Sequence, residues 1–121
     1  MAIGRALRRQ AVTTLDAARQ RVAVEVRNAA AALSSAAQRI EAATAAREAA
    51  VVQLQAENDR FTAGTSNNFF VFTRQNDLAA AKLAELVALT DYRKAETELA
   101  RATGSLLQTR GIHIHETGGS R

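Results

Sequence analysis

The chain contains no proline, and from Val12 to Phe61 its apolar residues keep a 3,4 spacing that never slips. The stripe reads Val12, Leu15, Arg19, Val22, Val26, Ala29, Leu33, Ala36, Ile40, Ala43, Arg47, Ala50, Leu54, Glu57, Phe61. Twelve of these fifteen positions are apolar, which is a heptad seam sustained over about seven heptads. Proline would break such a helix, and the Ala, Arg, Gln, Glu and Leu that fill it are good helix formers. From Ala11 to Phe61 the helix is roughly 76 Å long at 1.5 Å per residue. Ordinary globular helices run about 8–20 residues, so one this long has to lie against another long helix.

Composition sharpens that reading. The chain has 121 residues and is 47% hydrophobic, and alanine supplies 28 of its residues, about half of the apolar share. Alanine buries little area. At roughly 25 cal/mol per Å², burial set against conformational entropy leaves a small surplus. A compact, self-sufficient globule is not expected. The absence of cysteine excludes disulfides, thiolate zinc sites, iron–sulfur clusters and a Cys nucleophile. No apolar run approaches the length of a transmembrane helix. Arg5, Arg8 and Arg9 precede Val12-Thr13-Thr14-Leu15-Asp16, which is too polar for the apolar region of a signal peptide.

The formal net charge is +4 and the pI is about 10.6. Such a balance suggests nucleic acid, but charges of both signs alternate along the chain: Arg21, Glu25, Arg27; Arg39, Glu41; Lys94, Glu96, Glu98, Arg101. Solvated helix faces look like this. Only Arg5-Ala6-Leu7-Arg8-Arg9 is a basic cluster, and no nucleic-acid partner is expected.

The stripe breaks at Thr62-Ala63-Gly64-Thr65-Ser66-Asn67-Asn68, a run of turn formers. Gly64 suits the left-handed position that ends a helix, and Ser66, Asn67 or Asn68 suits the cap of the next. So short a connection implies antiparallel helices. The second helix starts near Phe69, and its best stripe is Leu78, Ala81, Glu85, Ala88, Tyr92, Ala95, Leu99, Ala102, Leu106. Ala79, Leu83, Leu86 and Val87 form a second apolar face, and two apolar faces imply two neighbours. Gly104 is expected to weaken or end this helix. The chain therefore reads as a basic N-terminal segment over 1–10, a helical hairpin over 11–110 and a disordered tail over 111–121. Within the hairpin the helices span about 11–62 and 69–110, and the turn spans 63–68.

Little in the sequence suits catalysis. His113 and His115 form a His-x-His pair in the polar tail with no third ligand at useful spacing. Glu41 and Glu48, like Asp91 and Glu98, lie seven apart on one helix face, as heptad surface charges do. No phosphate-binding Gly loop, nucleophile elbow or HExxH helix is present. No enzyme activity, cofactor or metal site is expected. Arg19 and Arg47 interrupt the apolar stripe; their stems should lie over the groove, with the guanidinium reaching solvent or a carboxylate. Phe69-Phe70-Val71-Phe72 holds three of the four phenylalanines. On a helix these side chains point in four directions, more than one partner helix covers, so this end is expected to be enclosed by further subunits or a partner.

The run Arg60-Phe61-Thr62-Ala63-Gly64-Thr65-Ser66-Asn67-Asn68-Phe69-Phe70-Val71-Phe72-Thr73-Arg74-Gln75 resembles the hairpin turn of TolC-type outer-membrane efflux proteins. Leu78-Ala79-Ala80-Ala81 and Asp91-Tyr92-Arg93-Lys94-Ala95 are similar to the family's second helix. Ala102-Thr103-Gly104-Ser105-Leu106-Leu107 is similar to its terminal Ala-x-Gly-x-Leu, and Val22 to Ala29 to the start of its long helix. The resemblance spans about Leu15 to Ile112, carried by order and spacing rather than by any one motif. It implies a hairpin within an oligomeric α-helical barrel: a homotrimer held in the outer membrane by barrel strands that this chain lacks, with the present segment in the periplasm. A periplasmic adaptor and an inner-membrane pump would dock below, and the duct would be a passive conduit. The chain would then be a fragment or a truncated reading frame. The adaptor-contacting tip implied is Gly64, Thr65, Ser66 and Asn67, with Phe69 and Phe70 beside it. Many family members carry Asp in the helix after the tip glycine. Here Phe70 and Thr73 stand near those places, so the resemblance brings no acidic gate to this hairpin. The rival expectation is a stand-alone coiled-coil scaffold or interaction module.

Overall fold

The computed structural model describes residues 2–109. Two helices, α1 (Ala2–Thr62) and α2 (Asn68–Thr109), account for nearly all of them, with no strand among the described residues. The fold is all-α, and the helices pack against each other as a hairpin.

The chain divides into two compact units. Leu33–Ala95 holds the end of α1, the turn and the start of α2. Its seam is alanine: Ala36 is fully buried, and Ala50 and Ala88 nearly so. Leu33, Ile40, Ala43, Arg47 and Leu54 on α1 are half-buried, as are Leu78, Ala81, Glu85, Tyr92 and Ala95 on α2. The other unit joins residues 2–32 of α1 with α2 from Glu96 onward. There Ala29 and Ala102 are buried, beside half-buried Val22, Val26, Leu99 and Leu106. No large side chain is fully buried among the described residues. Small seam residues let two helices approach closely, but each one removes little area from water.

The stripe assigned to the second helix is buried or half-buried at every position from Leu78 to Leu106. That of α1 is covered from Val22 to Glu57. Val12 and Leu15, expected on the covered seam, are exposed. The reason is length. α1 has 61 residues and α2 has 42, so among the described residues the first nineteen of α1 have no counterpart in α2.

One boundary differs from expectation. α1 begins at Ala2, not near Ala11. Arg5, Ala6, Leu7, Arg8, Arg9 and Gln10 are good helix formers, and nothing before Ala11 stops them except one glycine, Gly4. The 1–10 segment is thus helical from Ala2 and continuous with α1. α2 runs to Thr109, close to the expected end near 110, and Gly104 does not end it. A helical glycine costs about 1 kcal/mol relative to alanine. Buried Ala102 and half-buried Leu106 hold the turns on either side of it. Gly111, His113, His115 and the 111–121 tail lie outside the described residues.

Candidate functional site

The turn is built by two complementary caps. At the end of α1, Gly64 sits at φ +81°, a conformation glycine adopts without a Cβ penalty. The Gly64 amide donates to the Phe61 carbonyl (3.1 Å) and the Thr65 amide to the Arg60 carbonyl (2.9 Å). This is the Schellman arrangement, which satisfies carbonyls that the helix end leaves without partners. The Thr65 hydroxyl adds a second donor to the Arg60 carbonyl at 3.2 Å. At the start of α2, the Asn67 side-chain oxygen accepts from the Phe70 amide at 3.0 Å. The Asn67 carbonyl takes the first helical bond, from Val71 (3.2 Å). Asn67 is therefore the N-cap among the three residues suited to it.

These bonds fix what the tip presents. Gly64, Thr65 and Asn67 are exposed, but Ser66 is only partly so. Its hydroxyl oxygen is buried and has no hydrogen-bond partner among the described residues. Ser66, a candidate for the cap and part of the implied adaptor-contacting tip, thus keeps its Oγ covered and does not cap α2. Phe69 is 70% exposed and Phe72 59%. Phe61 and Phe70 are exposed too. The Phe69 and Phe70 rings meet edge to face, with centroids 5.9 Å apart and planes at 67°, a favourable aromatic geometry. Only Val71 of the four-residue cluster is half-covered. The result is an apolar collar around α2 just beyond a polar, glycine-kinked loop.

Glu57, one turn before Phe61 on α1, is the buried charged residue among the described residues, at 5% exposure. Its carboxylate accepts from Arg60 Nη1 at 2.9 Å, which satisfies a charge that would otherwise be costly on the seam. Arg60 thus holds the tip twice, by its carbonyl under Thr65 and by its guanidinium over Glu57.

Further along the same unit, Arg47 Nε donates to Glu85 Oε2 at 2.8 Å, both side chains partly buried. This hydrogen bond holds the Glu85 carboxyl below the usual carboxylate range, with partial burial opposing and a Thr44 hydrogen bond and, least, the Arg47 charge adding to the pull. The Arg47 guanidinium is held correspondingly above its ordinary value. The stem of Arg47 lies over the seam and its head meets a carboxylate, as its place in the stripe implied. Arg19 is exposed, at a level where α1 has no counterpart in α2 among the described residues. The pairing of Arg47 with Glu85 was within reach of the sequence: each lies nineteen residues from Ser66, so folding the chain at the turn sets them opposite.

In the other unit, Arg101 forks onto Glu98, with Nη2 to Oε1 at 2.6 Å and Nε to Oε2 at 3.1 Å. The bond lowers the Glu98 carboxyl and raises Arg101. Among the described residues no group of three or more His, Asp or Glu is placed to hold a metal ion, and no helix is long and apolar enough to cross a membrane. The second apolar face of α2 is uncovered: Leu83 is 62% exposed, and Leu86 and Val87 are exposed with it. No protein-family model matches the chain, and neither the curated proteins nor the solved structures yield a match to it.

Proposed function

We propose that this hairpin is a piece of an outer-membrane efflux duct of the TolC type, acting as a passive conduit. The proposal rests on the order and spacing of its segments, which resemble those of that family. One observation supports it most: α2 carries one apolar stripe against α1 and a second, Leu83, Leu86 and Val87, that is exposed. A helix in the wall of an α-helical barrel needs two neighbours, and a lone hairpin supplies one. In this reading the neighbours come from a homotrimer of a longer parent protein, whose barrel strands hold it in the outer membrane. The tip, Gly64 to Asn67 with Phe69 and Phe70, faces a periplasmic adaptor. An inner-membrane pump supplies the energy, and no group on the hairpin performs chemistry.

The test is fractionation of cells that make the gene product carrying this sequence, followed by crosslinking. Recovery in the outer-membrane fraction as a trimer is expected. Gly64→Trp should then abolish export while trimers still form. Recovery as a free coiled coil in the soluble fraction would overturn the reading in favour of a stand-alone scaffold.

A further inference from the structure

The first nineteen residues of α1, 2–20, belong to one unit and have no counterpart in α2 among the described residues. All but Ala18 are classed as exposed. At 100° per residue, Ile3, Leu7, Ala11, Leu15 and Ala18 fall on one arc of the helix. Leu7, Ala11, Leu15 and Ala18 line a shallow groove there, with Gln10 and Thr14. Arg8 and Arg19 border this arc on the side of Leu15, Arg5 lies further round and Arg9 opposite, with Val12 and a single carboxylate, Asp16, among them. Among the described residues none of these arginines has an ion pair. The segment holds +3 of the chain's formal +4, so the rest of the protein is close to neutral and the excess positive charge is local.

Charge complementarity selects the occupant. A second copy would bring +3 against +3 with one carboxylate on each side, so self-pairing of this segment is repulsive. A nucleic acid would answer the arginines and leave the apolar arc in water. An anionic lipid surface answers both: headgroups meet Arg8 and Arg19 at the edge of the arc, Arg5 and Arg9 add attraction at longer range, and the shallow apolar arc sits at the acyl boundary. We propose that residues 2–20 form an interfacial helix that lies on an anionic membrane surface. This goes beyond the duct reading and does not rest on it.

The full chain should be sedimented with vesicles of phosphatidylcholine alone and of equimolar phosphatidylcholine and phosphatidylglycerol. Binding to the anionic vesicles only, weakened by salt, is expected. At about fivefold per arginine, converting Arg8 and Arg19 together to Gln should weaken it by about twenty-five-fold. Leu7→Gln with Leu15→Gln should weaken it at least tenfold while helicity by circular dichroism is unchanged, since both side chains are exposed. No binding, or equal binding to neutral vesicles, overturns the proposal. So does anionic binding that ignores the two leucines, or that an oligonucleotide displaces with the leucine variant equally competent. If the leucine variant instead dissolves an oligomer in the ultracentrifuge and leaves vesicle binding intact, a second copy is the occupant and the lipid assignment fails. The vesicle result reads out whatever fractionation of the parent shows, so the two proposals fail separately.

Discussion

Gly64 is the residue on which the turn depends. Its φ of +81° is a region that L side chains rarely adopt, and a Cβ there meets nothing within 4 Å. Any penalty from substitution is therefore backbone strain rather than collision. Gly64→Ala should cost about 1 kcal/mol of stability, read as a shift in the denaturation midpoint at unchanged slope. A larger loss would mean that the turn has no room to relax. Glu85 acts through charge. Its folded-state carboxyl is held below the ordinary carboxylate value by Arg47, so its contribution is present above that value, about 4.3. It is lost as pH falls through the lower folded value. The melting temperature should drop between pH 5 and pH 3, and Glu85→Gln should make that drop shallower. An unchanged pH profile in the variant would show that the pair contributes nothing beyond geometry. The pair was the part of the site that spacing alone could have placed. The burial of the Ser66 hydroxyl was not, because one rotamer at a turn leaves no trace in a sequence pattern.

At the scale of the elements, the two stripes were legible because heptad spacing is a geometric property of the chain. α1 from Val22 to Glu57 and α2 from Leu78 to Leu106 are covered where the pattern puts them. What the pattern does not carry is where a partner ends. Val12 and Leu15 keep the spacing and are exposed, because none of the described residues of α2 lies opposite them. The start at Ala2 and the passage through Gly104 have a common cause: a single glycine is a weak stop when its neighbours are strong helix formers. The register itself can be tested at adjacent positions. Ala36 is fully buried and Arg39, three residues on, is exposed. Ala36→Asp places an unpaired charge in the seam and should cost several kcal/mol. Arg39→Ala should stay within about 0.5 kcal/mol. Similar losses from both, measured by urea unfolding, would refute the register.

For the molecule as a whole, the decisive fact is that its seam is made of alanine. Ala29, Ala36, Ala50, Ala88 and Ala102 are its buried apolar residues, and each removes far less area from water than a leucine would. Leucines, valines and an isoleucine of the two stripes are half-buried beside the alanines, while other large apolar side chains are turned outward: Leu83, Leu86 and Val87 on the second face of α2, and Phe61, Phe69, Phe70 and Phe72 around the tip. Exposed apolar groups gathered in this way favour association, and anything that binds only the folded form raises its apparent stability with concentration. The isolated chain should therefore be helical, and its thermal transition should move upward as it is concentrated. Circular dichroism melts across a hundredfold range of concentration, paired with sedimentation equilibrium, test this directly. Leu86→Gln should reduce the concentration dependence while leaving the dilute transition nearly in place, because Leu86 contributes little to the α1–α2 seam. A strict monomer with a sharp transition that does not move on dilution would mean that the alanine seam alone is enough, and that the second face of α2 needs no partner.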